Sequence, residues 1–376
     1  MLIAADGIAL AGDVAPDAIT TPGWVGVDAG VISEIGAGRP PRGAEVWADS
    51  VLAPGFVDLQ INGIDEFDFA AVDANHAAAA LERITDSGCT TCLPTLVTAP
   101  DAAYGPMLDA IAGSRHVEGA ALRCHAAGAH LEGPFLGGAP GAHPIDLVRP
   151  VDLDALARWC DRHRDLVRLV TLAPEADPDL GATRALTERG ITVAFGHTNA
   201  TYDAVSAMIG AGASMATHLF NGMAAFHHRQ PGPVGAALAH DAVTASLIAD
   251  GIHVHPTAVR IAVRAKPKLA LVSDAVAVDA ATAGPVGFRR RAGGAAELTD
   301  GTLAGATLPI DGGVRNLVRW GVEPARALAM ATSVPAEAIG LADRGRLALG
   351  FRADLVVLGR DDLRVRAVWI GGVRVR

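Results

Sequence analysis

Short apolar runs recur along the middle of the chain, separated by longer stretches whose apolar residues repeat at helical spacing. The runs at 51–62, 90–98, 126–132, 167–173, 191–197, 214–219, 244–250 and 268–274 read as strands. Between them, DANHAAAALERITDSG (73–88) starts on an Asp suited to cap a helix and stops on a Gly. DLDALARWCDRHRDL (152–166) and TYDAVSAMIGAGA (201–213) also place their apolar residues on one helical face. Strand–helix alternation predicts a parallel sheet, and eight such strands predict an α/β fold in which the sheet closes into a (β/α)8 barrel of the TIM type.

The two ends follow another pattern. Residues 1–50 contain WVGVDAGVISEIGAG, a strand, a tight turn and a second strand; residues 345–376 contain ADLVVLG and LRVRAVWIGGVRV, which read the same way. Neither end has enough strands to stand alone. Together they predict a small β-sandwich module beside a barrel spanning 51–344. The length of 376 residues suits a barrel of ~250 residues plus such a module. The Gly-, Arg- and Ala-rich segment 277–303 reads as a long excursion after the eighth strand.

Composition narrows the function. Half the chain is hydrophobic, with 43 Gly and 22 Pro, enough for a large core and many tight turns. A net charge of −10 argues against a nucleic-acid groove or an anionic membrane surface, although a few local cations can still hold a small anion. No apolar run reaches the ~18 residues of a membrane span. MLIAADGIALAG has no basic leader, so the expected location is the cytoplasm. Cys89 and Cys92 form a C-x-x-C, but no second pair exists, so they read as small apolar side chains at a strand edge. Lys266 and Lys268 are the only lysines.

Barrels of this kind gather their chemistry at the C-terminal ends of the strands. Gln60 and Asn62 stand at the end of strand one, Glu132 at three, His197 at five and His218 and Asn221 at six. Asp250 and His253 follow strand seven and Asp274 strand eight. Adjacent strands would bring His197 and His218 together. One carboxylate with two imidazoles is a familiar open metal set, zinc by default, with water as the remaining ligand. Asp274 across the barrel mouth could take a proton from that water. Asp65, Glu66 and Asp68, just after strand one, read as solvated or capping residues.

The motifs LAPGFVDLQING, HLEGPFL, GAH, GHTNATYD, THLFNGM, RQPGPVG, IADGIHV, LVSDA and DGTLAGATLPIDGGVRN, in that order, resemble the N-acetylglucosamine-6-phosphate deacetylase family of the amidohydrolase superfamily. The resemblance implies that Glu132, His197 and His218 hold the metal, that Asp274 is general base and then general acid, and that His143 polarises the acetamide carbonyl. It further implies sugar-phosphate contacts from Asn221, Gly222, Asp250, His253 and Arg229, with Arg229 supplied by the partner in a homodimer. Ala142, Leu303, Ala304 and Gly305 would line the substrate. Some members carry His-x-His on strand one to hold a second metal, where this chain has Gln60 and Asn62. Amides are poor ligands beside imidazole, and strand four ends in LVTLAPE without the bridging Lys of two-metal relatives. One divalent ion per chain is therefore expected, with iron, cobalt or manganese as alternatives to zinc. Where relatives often carry lysines, the loop GGAPGAHP is neutral. Rival functions are deacetylation of another N-acetyl amino sugar, phosphorylated or not, and metal-free binding of a sugar phosphate.

Overall fold

The computed structural model describes residues 1–9, 21–117, 122–278, 289–290 and 294–376. Eight parallel strands succeed one another around a barrel: Phe56–Ile61, Cys89–Val97, Ala129–Glu132, Val167–Leu172, Thr192–Phe195, Met215–Ala216, Thr244–Ile248 and Leu269–Val272. Their order around the sheet follows their order in sequence. The ring closes where strand eight returns to strand one: Asp274 N donates to Gln60 O at 2.8 Å and Asn62 N to Ala275 O at 2.7 Å. Two apolar layers support it, one inside the barrel and one outside. Val57, Leu59, Leu93, Leu169, Ala194, Met215, Ile248 and Val272 pack inside the barrel, while the opposite faces of the strands meet the surrounding helices.

The expected helices form where their caps predict. Ala74–Thr85 starts after Asp73, whose side chain accepts from Asn75 N. Leu153–Arg162 starts after Asp152, which accepts from Ala155 N, and Tyr202–Gly210 after Thr201, which accepts from Ala204 N. Among the described residues, no helix is long and apolar enough to cross a membrane.

Both chain ends contribute to a single seven-stranded sheet. Its central strands are Leu355–Gly359 and Glu45–Pro54, the latter parallel to Leu2–Ile8. Alternation of side chains along it serves two cores. Val51, Ala53, Val356, Leu358 and Val368 join the main core, whereas Leu52, Leu355, Val357, Ala367 and Trp369 join Ile3, Val25 and Ile32 in a separate one. Bonds from Ile32 N to Phe351 O and from Ala353 N to Gly30 O bring the far edge back, so the sheet curls over its own core.

Two readings change. The run 51–62 is not one strand: it is divided at Gly55, where the chain passes from the terminal sheet to the barrel. A side chain there would enter Thr90, because a Cβ on Gly55 would lie 2.2 Å from Thr90 Oγ1. The excursion 277–303 lies partly outside the described residues; of it, Ala295–Glu297 pairs with Leu303–Ala306, which returns to the barrel mouth through the Ala306 N to Asp274 O bond.

Gly55→Val should lower the melting temperature, because overpacking at a tight crossing costs about 1–3 kcal/mol. Gly181→Ala is the matched control. Nothing stands within 4 Å of its Cβ, and its φ is not positive, so it should be neutral or stabilising by up to about 1 kcal/mol. Thermal unfolding of both variants checks the pair.

Candidate active site

Strand ends put three ligand-type atoms in one buried place. Glu132 closes strand three, and His197 and His218 follow strands five and six; none is more than 6% exposed. Glu132 Oε1 lies 3.1 Å from His197 Nε2 and 3.0 Å from His218 Nε2, and the two Nε2 atoms are 3.0 Å apart. Both imidazoles are oriented from behind. His197 Nδ1 donates to Ala139 O and His218 Nδ1 to Asn221 O, each at 3.1 Å. A carbonyl oxygen only accepts, so in the neutral rings the proton is on Nδ1 and the Nε2 lone pair faces the cluster. Two nitrogen lone pairs and a carboxylate oxygen thus converge within hydrogen-bond distance. A proton would pair two of the three; a divalent cation ~2 Å from each would pair all of them. The donor set fits a metal ion.

The backbone bends to achieve this. His197, His218 and Asp274 have φ of 49°, 30° and 48°, the left-handed region that costs a non-glycine residue ~1–3 kcal/mol. Tertiary bonds hold them there, among them Gly137 N to His197 O at 2.8 Å and Ala306 N to Asp274 O at 2.8 Å.

Strand one faces the same cluster with donors. Gln60 Nε2 donates to Glu132 Oε1 and Asn62 Nδ2 to Asp274 Oδ1, both at 2.9 Å. The amides orient the two carboxylates. Burial pushes the Asp274 carboxyl up to about 7, and the nearby Glu132 charge adds to the shift. Asp274 is thus poised to exchange a proton near neutrality. His143 Nδ1 accepts from Thr98 N at 3.4 Å and meets Thr98 Oγ1 at 2.8 Å, which leaves the ring proton on Nε2. Burial, reinforced by His197, lowers its pKa to about 3, so it stays a neutral donor. Ligand atoms of His143, Glu132 and His197 all lie within 4.8 Å of one another.

These groups open on a cavity of about 340 Å³. Asn62, Ala142, Asn221, Gly222, His253, Leu303, Ala304 and Gly305 line it with Glu132, His143, His197, His218 and Asp274. Asp250 does not line it. Its carboxylate accepts from His253 Nδ1 at 2.7 Å, while His253 Nε2 donates to Ala304 O at 2.7 Å. His253 therefore has both ring nitrogens engaged and ties the strand Leu303–Ala306 to the barrel. Arg229 stands apart on an exposed loop beside His228 Nε2, 2.9 Å away. Among the described residues, no Lys or Arg lines the cavity. Strand four ends at Leu172 without a Lys, and Glu175, three residues on, accepts from Asn199 N at 2.8 Å.

Sequence reasoning missed Thr98, although a threonine right after strand two was a visible strand-end signal. It also set aside Asp68, which lines the cavity. Asp65, by contrast, pairs with Arg83 at 2.9 Å on the surface. Asp58 lies beneath the site, 1% exposed, accepting from Gln60 N and Ser273 N at 3.2 Å each across the barrel seam.

Burial raises the Asp58 carboxyl from 3.8 to about 6. Its protonated folded form contributes stability below pH ~4 that is lost as pH rises through about 6. Asp58→Asn keeps an acceptor without the charge. Its stability relative to wild type should rise between about pH 4 and 6, by up to about 3 kcal/mol, and level off above. Denaturant unfolding of the metal-free proteins across this range measures it; a constant difference would refute the assignment.

Comparison with known proteins follows the same lines. The model of the amidohydrolase family matches residues 51–375. N-acetylglucosamine-6-phosphate deacetylase of Bacillus subtilis is 36% identical over 358 residues, 90% of this chain and 89% of that one. N-acetylgalactosamine-6-phosphate deacetylase of Escherichia coli is 35% identical over 333 residues, 86% of this chain and 87% of that one. A mutant N-acetyl-D-glucosamine-6-phosphate deacetylase from Mycobacterium smegmatis, solved in complex with N-acetyl-D-glucosamine-6-phosphate, superposes with a TM-score of 0.89 at 34% identity. The match covers 100% of this chain and 98% of that one.

Proposed function

The chain belongs to the amidohydrolase family, and from that premise we propose that it hydrolyses the acetamide of N-acetylglucosamine 6-phosphate to glucosamine 6-phosphate and acetate. The observation that carries this reading is the meeting of Glu132, His197 and His218 beside Asp274 and His143 in one cavity, in a chain alike over its whole length to deacetylases of that substrate.

Glu132, His197 and His218 would hold one divalent ion, zinc by the character of a carboxylate and two imidazoles, which supplies Lewis acidity to the carbonyl and to an attacking water. Asp274 takes the proton of that water as its oxygen bonds to the acetyl carbon. His143 Nε2–H donates to the carbonyl oxygen as negative charge grows there. Asp274 then returns the proton to the sugar nitrogen as the C–N bond breaks, so the amine leaves neutral with acetic acid, which gives its remaining proton to solvent and becomes acetate. Asn62 holds one Asp274 oxygen throughout, which leaves the other for the proton. The proposal of one ion rather than two is supported by Gln60 and Asn62, whose amide donors face the carboxylates.

A homodimer forms part of the same proposal. The cavity has no described Lys or Arg of its own, while Arg229 projects from the exposed 225–230 loop, as a phosphate ligand for a partner's cavity would. A cytoplasmic setting is supported by four unpaired cysteines.

Acetate release from N-acetylglucosamine and N-acetylgalactosamine, each with and without the 6-phosphate, tests the reading; no release from either phosphate would refute it. Asp274→Asn should stay folded, keep one ion per chain by elemental analysis, and lose ~10²–10⁴ in kcat. A folded, metal-loaded and active Asp274→Asn protein would overturn the mechanism. Arg229→Ala should chiefly raise KM for the phosphorylated sugar. Mixed dimers of Arg229→Ala with Asp274→Asn subunits should regain activity, because one of their two sites has both residues intact. Verified mixed dimers without recovery would exclude a shared site.

A further inference from the structure

Among the described residues, Asp68 is the one carboxylate on the cavity wall that the mechanism leaves unused. It sits on a small hairpin, Gly63–Ile64 paired with Phe67–Asp68, that folds back over the end of strand one. Register puts Asp68 opposite Gly63, the residue after Asn62, and Phe69 N donates to Asn62 O at 2.9 Å. Asn62 in turn holds Asp274. Asp68 is thus fixed by backbone bonds to the side of the cavity where the proton is transferred. One of its oxygens, Oδ1, accepts from Ala70 N at 2.8 Å, and its backbone N–H donates to His76 Nε2 at 3.1 Å. Among the described residues, its second oxygen has no hydrogen-bond partner. Asp65, three residues earlier, is neutralised by Arg83, whereas among the described residues no Lys or Arg pairs with Asp68.

We propose that Asp68 is a substrate-orienting residue whose free carboxylate oxygen accepts a hydrogen bond from a sugar hydroxyl on a carbon next to the one bearing the acetamide. This rests on the amino-sugar reading above. The argument is one of reach and charge. The amide nitrogen must stand within ~3 Å of Asp274 to receive its proton, and the hydroxyls on the flanking ring carbons are the nearest donors to that nitrogen. A strand neighbour one residue removed from Asn62 is placed to meet them. The carboxylate only accepts, so it suits a hydroxyl and repels a phosphate. It therefore also directs the phosphate end of the sugar away from the hairpin. A charged acceptor matched to one hydroxyl is an effective discriminator, because an analogue without that hydroxyl leaves the carboxylate unpaired.

The test crosses protein variants with deoxy substrates on the metal-loaded enzyme. Asp68→Asn is the informative change, since its side-chain oxygen still accepts from Ala70 N while a donor replaces the free acceptor. Its melting temperature and metal content should match wild type. On the parent N-acetyl hexosamine 6-phosphate, kcat/KM should fall roughly 10–100-fold, the scale of a hydrogen bond to a charged group. Of the 1-deoxy and 3-deoxy analogues, one should make wild type and Asp68→Asn alike within about threefold, while the 4-deoxy analogue should keep the full difference. Wild type alone gives a second measure: the analogue that lacks the contacted hydroxyl should lose a similar factor. Asp68→Asn within twofold of wild type on the parent, or an equal loss on the parent and on both flanking deoxy analogues, would overturn the assignment and leave the function standing. Wild type inactive on every phosphorylated N-acetyl hexosamine would overturn the function and this assignment with it.

Discussion

The convergence of one carboxylate oxygen and two imidazole lone pairs organises this protein. Glu132 Oε1, His197 Nε2 and His218 Nε2 stand 3.0–3.1 Å apart in a place water hardly reaches, with both imidazole Nδ1 protons committed to backbone carbonyls. Like-charged lone pairs in a low-dielectric interior repel unless a cation sits among them. The fold therefore stores a demand for positive charge, and the left-handed backbones at His197 and His218 are part of what it takes to aim both rings at one point.

Strand one answers the same electrostatics with the opposite chemistry. An imidazole would turn a lone pair toward the cluster, whereas Gln60 and Asn62 turn amide donors toward Glu132 and Asp274. Donors there hold one oxygen of each carboxylate, which is what supports the proposal of a single ion. Asp274 benefits most. Burial and the nearby Glu132 charge push its carboxyl up to about 7, and the Asn62 amide holds Oδ1 while leaving the other oxygen free.

The outer part of the cavity carries the complementary problem. Glu132, Asp274 and Asp68 line it, no described Lys or Arg does, and His253 is held between Asp250 and Ala304. An anionic substrate therefore meets no Lys or Arg among the described residues of one subunit. This is why the exposed Arg229 loop matters to the proposed function, while the His253 bond to Ala304 O ties the strand Leu303–Ala306 to the barrel.

Much of this was legible in the chain itself. Apolar runs alternating with amphipathic stretches announced a parallel barrel, because strands buried on both faces need continuous apolar sequence and their crossovers need helices. Asp73, Asp152 and Thr201 marked helix starts because capping is local, settled within a few residues by the side chain and the next N–H groups. Glu132, His197, His218 and Asp274 stood out because a barrel displays its chemistry at strand ends, wherever in sequence those fall. Tertiary structure decided the rest. Local sequence cannot show that Gly55 must be bare, since Thr90 crowds it from a neighbouring strand. Nor can it show that His253 spends both nitrogens on Asp250 and Ala304, or that Asp58 joins the barrel seam to Ser273, 215 residues away. Asp65 and Asp68 lie in one acidic stretch, yet one meets Arg83 on the surface and the other lines the cavity. Sequence fixes which groups a residue offers; whether a group is paired, buried or aimed depends on what distant segments bring within ~3 Å of it, and only the closed barrel settles that.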